Sequence, residues 1–296
     1  MAALPAMAEA AGSGWSARLD LRFEAIPEGR TRLVHVRHHG PLRLIRALPR
    51  PDGGCQAVIV HPPGGLVGGD RLELSMALGP NAQVLCTTPG AQKWYRSLGA
   101  AAQAQTRVCV GPQAALEWLP QPSLVFDRAR VDQSLAFELD PQARLLGWEA
   151  LVLGRAAMGE RFGTGHLKQR LSLSVGGVLR WQEQTAADAQ DRLFASPLGW
   201  SGRVAACTVW AAAPPDALHE SLTEAWRATL HTACTTDAGR AVRLLGGVTR
   251  VSAGLLVARL LADDAEPMMR AAQALWSQAR PGLLGAASPP PRIWAT

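Results

Sequence analysis

The sequence predicts a mainly β protein: a single domain of many short strands, with two α-helices confined to its last third. Three observations predict it. Apolar residues recur at every second position in one run after another, the pattern of half-buried strands. Gly, Pro, Asn or Asp bound these runs, and no linker-like stretch interrupts the chain, so one domain is expected over 18–296 behind a flexible tail, 1–17. The apolar spacing changes to that of a helix only near the end of the chain. With 296 residues, folding can bury about three quarters of the unfolded surface, so the core needs no disulfide or structural metal.

Taken in order, Arg18–Glu24 alternates from Arg18 to Phe23, Thr31–His39 follows, and Cys55–Val60 is a short apolar run. Arg71–Leu78 sets Leu72, Leu74, Met76 and Leu78 on one face. Strands continue over Gln83–Thr88, Gln103–Val110, Val131–Leu139, Leu145–Leu153, His166–Val175, Val178–Glu183 and Arg203–Trp210. Asp216–His231 then places Leu218, Leu222, Ala225, Trp226, Thr229 and Leu230 on one helical face, with Asp216 as N-cap after Pro214 and Pro215. In Glu266–Arg280, Met269, Ala272, Leu275 and Trp276 are helically spaced, Pro267 suits the first turn, and Pro281-Gly282 ends the helix. No fixed repeat period is visible. In the Pro-rich PPPRIWAT, Ile293 and Trp294 predict a docked segment.

Composition excludes several classes. The net charge is +6, carried by arginine, with Lys93 and Lys168 the only lysines. The charges are dispersed without a basic block, which argues against nucleic acid and for an acidic protein partner. The most apolar span, Ala253–Ala262, is interrupted by Arg259 and is too short for a membrane helix. The first residues lack a basic segment and contain Glu9, unlike a signal peptide, so a cytoplasmic protein is expected. Cys55, Cys86, Cys109, Cys207 and Cys234 form no C-x-x-C pair and read as buried free thiols in a reducing compartment.

The most distinctive run is His61-Pro62-Pro63-Gly64-Gly65-Leu66-Val67-Gly68-Gly69-Asp70. Its glycines permit positive φ and close backbone approach. It lacks the Gly-Lys-Ser/Thr of a phosphate loop, and a strand rather than a helix follows, so on physical grounds it is a structural turn first and a functional loop second. The histidines (His35, His38, His39, His61, His166, His219, His231) form no spacing that completes a metal site. No nucleophile motif occurs. Glu149, Glu160, Glu183, Asp188 and Asp191 stand in mixed surroundings, whereas Glu117 and Glu149 adjoin tryptophans inside apolar strands. Each of those two either faces solvent or lines a polar interior, where it needs water, arginine or a metal ion. A binding or scaffolding role is therefore expected. A metal-dependent hydrolase would need three or more converging His, Asp or Glu ligands.

More specific are whole strings: GRTRL (29–33), HHGPLR (38–43), HPPGGLVGGDRLEL (61–74), TTPGAQKWYRS (87–97), LEWLPQ (116–121), WEALVLGRAAMGERF (148–162) and PPRIWAT (290–296). In this order and spacing the chain, from about residue 18 to 296, resembles the UreD family of urease accessory proteins, called UreH in some organisms. Where the family commonly has Phe, Trp94 keeps the aromatic body; where it often has His, Gln56 removes a possible ligand.

The resemblance implies a β-helix-like fold of many strands with two helices, and no enzymatic activity. It implies binding to the urease apoprotein and to UreF, through which UreG is recruited, and a dimer of such heterocomplexes. It also implies delivery of Ni²⁺ through a water-filled internal passage, with no tightly bound cofactor. A purely structural adaptor that never contacts nickel is the alternative. A transit path wants dispersed oxygen ligands rather than a His/Cys cage, which would retain the ion. Asp70 is the first candidate for a passage residue, followed by Glu149, Glu160 and Glu183, with His61 behind them. Pro62, Gly64, Gly65, Gly68 and Gly69 form the family loop, and Tyr95 and Arg96 are expected to pack, anchor loops or meet a partner.

Overall fold

The alternating runs become strands of two facing sheets. The structure, a computed structural model, describes residues 14–236, 244–285 and 289–295. In the first sheet β1 (Ser16–Ala25), β6 (Arg71–Leu78), β9 (Ala102–Val110), β12 (Arg130–Leu139) and β14 (His166–Val175) run parallel, with β2 (Thr31–His39) and β15 (Val178–Asp188) antiparallel at its edges. In the second, β4 (Cys55–Val60), β7 (Gln83–Thr87), β10 (Ala115–Leu119) and β13 (Arg144–Leu153) run parallel. Antiparallel β3 (Arg43–Pro49) closes one side, and β16 (Ala205–Ala212), β18 (Leu255–Ala262) and β17 (Leu244–Ser252) the other. Short strands β5 (Gly65–Leu66), β8 (Gln92–Trp94) and β11 (Ser123–Val125) pair in parallel as a narrow third face. The chain thus coils from second sheet to third face to first sheet and around again, as in a β-solenoid. Cys55, Val84, Leu116 and Leu145 stack on one another although no sequence repeat announces the coils.

Leu19, Phe23, Met76, Val108, Phe137 and Leu171 of the first sheet pack against Val84, Leu116, Leu145 and Trp210 of the second. On the outer face of the second sheet lie α2 (Glu220–Thr236) and α3 (Ala265–Leu284), which bury Trp226, Leu275 and Trp276 against Trp148, Val209 and Leu256. Strands covered on both faces read as continuous apolar runs. This explains why β18 shows no alternation; β17, an edge strand exposed along most of its length, is instead interrupted by Gly246 and Gly247. β3, with a register shift at Leu44/Arg46, and the two- and three-residue β5, β8 and β11 carry no clear period either.

The helices differ from expectation in three ways. Asp216 does not cap α2, which starts at Glu220 after a turn closed by the Ala217 N–H on the Pro214 carbonyl. Pro281 does not end α3: the helix runs past it to Leu284 and stops at Gly285, at φ 79°. In the last turn proline removes a single donor. A short third helix, α1 (Arg192–Ala195), is capped by Asp191, which accepts from the Leu193 N–H at 2.8 Å. β1 begins at Ser16 and buries Ala17, two residues expected in the tail; 1–13 lie outside the described residues. Cys55, Cys86 and Cys207 are buried free thiols as expected, but Cys109 is exposed, because alternation in β9 turns Val108 and Val110 inward and Cys109 out. Trp294 docks: its ring lies 5.8 Å from that of Trp148 and 6.3 Å from that of Trp276, and its Nε1 donates to Thr87 Oγ1 at 2.8 Å. No helix among the described residues is long and apolar enough to cross a membrane.

Candidate functional site

The His61–Asp70 loop links β4 to β6 and is held by backbone chemistry. A Cβ on Gly65 would stand 2.5 Å from the Tyr95 ring and 2.8 Å from the Lys93 carbonyl oxygen, so only glycine lets β5 lie against β8. Gly69 turns the chain at φ 94°. The buried Asp70 carboxylate accepts the Trp15 N–H at 2.8 Å and the Val67 N–H at 2.9 Å, stapling the loop to the start of β1. Gly68 packs on Ser97 and the Ala100 carbonyl. Tyr95 stacks edge-on against Phe126 at 5.0 Å, and its N–H donates to the Leu66 carbonyl. Arg96 is exposed and bridges to Ala129.

Beneath this loop, between the sheets, lies a cavity of about 390 Å³. His61, Pro62 and Gly64 line one side; Trp94, Trp118, Gln133 and Glu149 line deeper walls. His61 is half-buried, and burial pushes its imidazole pKa down against the pull of Asp70. His61 Nδ1, Gln92 Nε2, Trp94 Nε1 and Trp118 Nε1, all from cavity-lining residues, are buried without a hydrogen-bond partner. Groups of that kind are ordinarily satisfied by internal water.

Glu149 is the carboxylate of this cavity. β13 places it inward, in phase with Leu145 and Leu151, and its Oε1 accepts from Gln133 Nε2 at 2.8 Å. Burial raises its pKa to about 7, and the hydrogen bond from the Gln133 amide pulls the other way. A polar row leads on from it. Gln169 Nε2 donates to Gln133 Oε1 at 2.9 Å. On the facing sheet Glu149 stands opposite Thr208, and Thr208 opposite Arg259. Thr208 Oγ1 and Arg259 Nε each lie 3.2 Å from Glu183 Oε2. The row crosses the interior from the cavity to the exposed Arg259.

The site residues expected from sequence therefore divide. Glu149 and His61 share the cavity, and Glu183 stands at the far end of the row. Asp70 caps its own loop outside the lining. Glu160 pairs with Arg155, which holds its carboxyl below the usual range, and accepts the Asp127 N–H at 3.0 Å. Gln133, Gln169 and Thr208 were missed. Their signal was available: each is a polar residue at an inward phase otherwise filled by apolar side chains.

Glu117 points the other way, under α3. Arg50 Nη1 at 2.6 Å, Arg280 Nε at 2.9 Å and Trp276 Nε1 at 2.8 Å all donate to it, and Arg280 also bonds Asp52 at 2.7 Å. Two arginines satisfy two carboxylates, which is how an apolar layer tolerates such charges.

A family model described as UreD urease accessory protein matches residues 16–295. A urease accessory protein UreD of Delftia acidovorans is 40% identical, covering 100% of this chain and 99% of its own length. Those of Leptothrix cholodnii, 38% identical over 95% and 99%, and Pseudomonas aeruginosa, 40% over 95% and 95%, are similar throughout. The chain belongs to the UreD family of urease accessory proteins.

Proposed function

We propose that this chain is a non-enzymatic maturation factor of the cytoplasm that binds the urease apoprotein and UreF, recruits UreG through UreF, and passes Ni²⁺ through its interior to the urease active site. The observation that carries the passage is Glu149: one carboxylate in the cavity between the sheets, hydrogen-bonded to Gln133 and through it to Gln169, and standing in register with Thr208, whose hydroxyl meets Glu183 beside the exposed Arg259. A bare divalent ion in an apolar interior costs tens of kcal/mol, so a path must supply oxygen ligands throughout. Glu149, the glutamine amides and Thr208 do so singly. Among the described residues no three His, Cys, Asp or Glu side chains gather to hold a metal, which fits an ion in transit. Glu149 and Glu183 are the proposed passage carboxylates, with His61 near the loop mouth; Asp70 and Glu160 shape the loops beside it.

The test is the nickel content and activity of the cognate urease, co-expressed with the other accessory proteins, with this chain absent, intact or carrying Glu149→Ala. Nickel-poor, inactive urease without the chain supports the maturation role; fully loaded urease overturns it. Nickel-poor urease with an assembled Glu149→Ala complex supports the passage. Full loading by that variant leaves a structural adaptor, the reading that the engaged carboxylates of Asp70 and Glu160 favour.

A further inference from the structure

β2 and β3 end the two sheets on the same side of the sandwich, and among the described residues no strand pairs with the outer edge of either. Their sequences, TRLVHVRHH and RLIRALP, hold four arginines and three histidines without one acidic residue. Val34, Val36 and Ile45 are 54%, 48% and 50% exposed. The acids standing across from Arg37 and Arg32 in the pairing, Asp20 and Glu24, are taken up by Arg18 at 2.9 Å and Arg22 at 2.6 Å. The opposite end is different: β15 mixes Arg180 with Glu183 and Asp188, and Arg250 of β17 is paired with Glu220.

An open edge with exposed β-branched residues is a template for another strand. Like charge opposes a second copy of this chain there, since pairing would set arginine against arginine. We propose that the free edge of β2, with β3 beside it, docks an extended acidic segment of a partner protein, which joins the first sheet as an added strand. Backbone bonds supply the pairing, Val36, on the face of Leu21, receives an apolar side chain beside the bulge at Val34, Arg32 and Arg37 on the other face receive the acids, and Arg46 on β3 adds positive charge beside them. Neither strand carries the aromatic residues on which single-stranded nucleic acid stacks. The proposal stands whether or not nickel crosses the interior.

The test uses the full chain and a fluorescent nine-residue peptide alternating glutamate with valine, matched to the nine residues of β2. A lysine-for-glutamate peptide and a single-stranded oligonucleotide serve as comparisons. The acidic peptide is expected to bind, to weaken about tenfold between low and moderate salt, and to slow hydrogen exchange of β2 amides. The exposed triple change Arg32→Glu, Arg37→Glu, Arg46→Glu should weaken it at least about tenfold and favour the lysine peptide. Val36→Pro, which blocks the edge while keeping the charge, should abolish the amide protection. Absence of acidic-peptide binding, equal binding of the lysine peptide, binding of the oligonucleotide alone, self-association through this edge in sedimentation, or indifference to the charge reversal would each overturn the proposal.

Discussion

Glu149 titrates in the wrong place for a carboxylate, and this gives it a measurable signature. Its usual value is 4.5 and its folded value about 7, so the folded state holds a proton that the unfolded chain has lost. Stability contributed by this group therefore falls as pH rises from about 4.5 to about 7 and is level above. Glu149→Gln cannot ionise; it is expected to gain on the order of 2–3 kcal/mol over wild type near pH 8 and little near pH 4. Urea melts of both proteins at the two pH values check this, and parallel curves would refute it. Gly65→Ala forces a Cβ against the Lys93 carbonyl and the Tyr95 ring and should cost about 1–3 kcal/mol, read as a lower urea midpoint. Sequence alone showed that Glu149 and Glu117 were unusual, because each sat in an apolar strand beside tryptophan. It could not show that they face opposite sides of one sheet, since that depends on the phase of β10 against β13. Asp70 was ranked above Glu149 because its loop is distinctive, but that distinctiveness serves the turn.

At the scale of elements, α3 is tied to the second sheet by charge as well as by apolar packing. Arg280→Met leaves Glu117 and Asp52 with Arg50 and leaves Glu117 the Trp276 indole, but removes the charged bonds from the helix. A loss of about 3–5 kcal/mol is expected, measured by equilibrium urea unfolding. Trp294→Ala empties the space between Trp148 and Trp276 and deprives Thr87 of its donor. About 1–3 kcal/mol should be lost, since the ring is only half-buried, and protease should cut nearby segments sooner. Alternation made the strands with one wet face legible, such as β1, β6 and β12. It fails for β18, where the helices hide the contrast that period two relies on, for the glycine-interrupted edge strand β17, and for the two- and three-residue strands of the third face. α3 was legible from its tryptophan and leucine spacing, but its end was not, because a proline in a last turn breaks too little to stop a helix.

At the scale of the molecule, successive coils touch chiefly their neighbours, so order can spread along the stack much as in repeat proteins. The mainly β character followed from composition and pattern, whereas the coiling did not, because equivalent positions in successive coils (Cys55, Val84, Leu116, Leu145) share only apolarity. The cationic edge was likewise hidden, since arginines dispersed along the sequence give no sign that β2 and β3 meet at one end. The Arg280–Glu117 tie spans 163 positions of chain and has a consequence in time rather than in energy. Closing so long a loop is entropically costly until the coils beneath it exist, so the tie should form after the rate-limiting step. In stopped-flow experiments Arg280→Met should then speed unfolding while leaving the refolding rate nearly unchanged. On that view the clamp sets how long a folded molecule lasts before it opens, and does little to decide how quickly it folds.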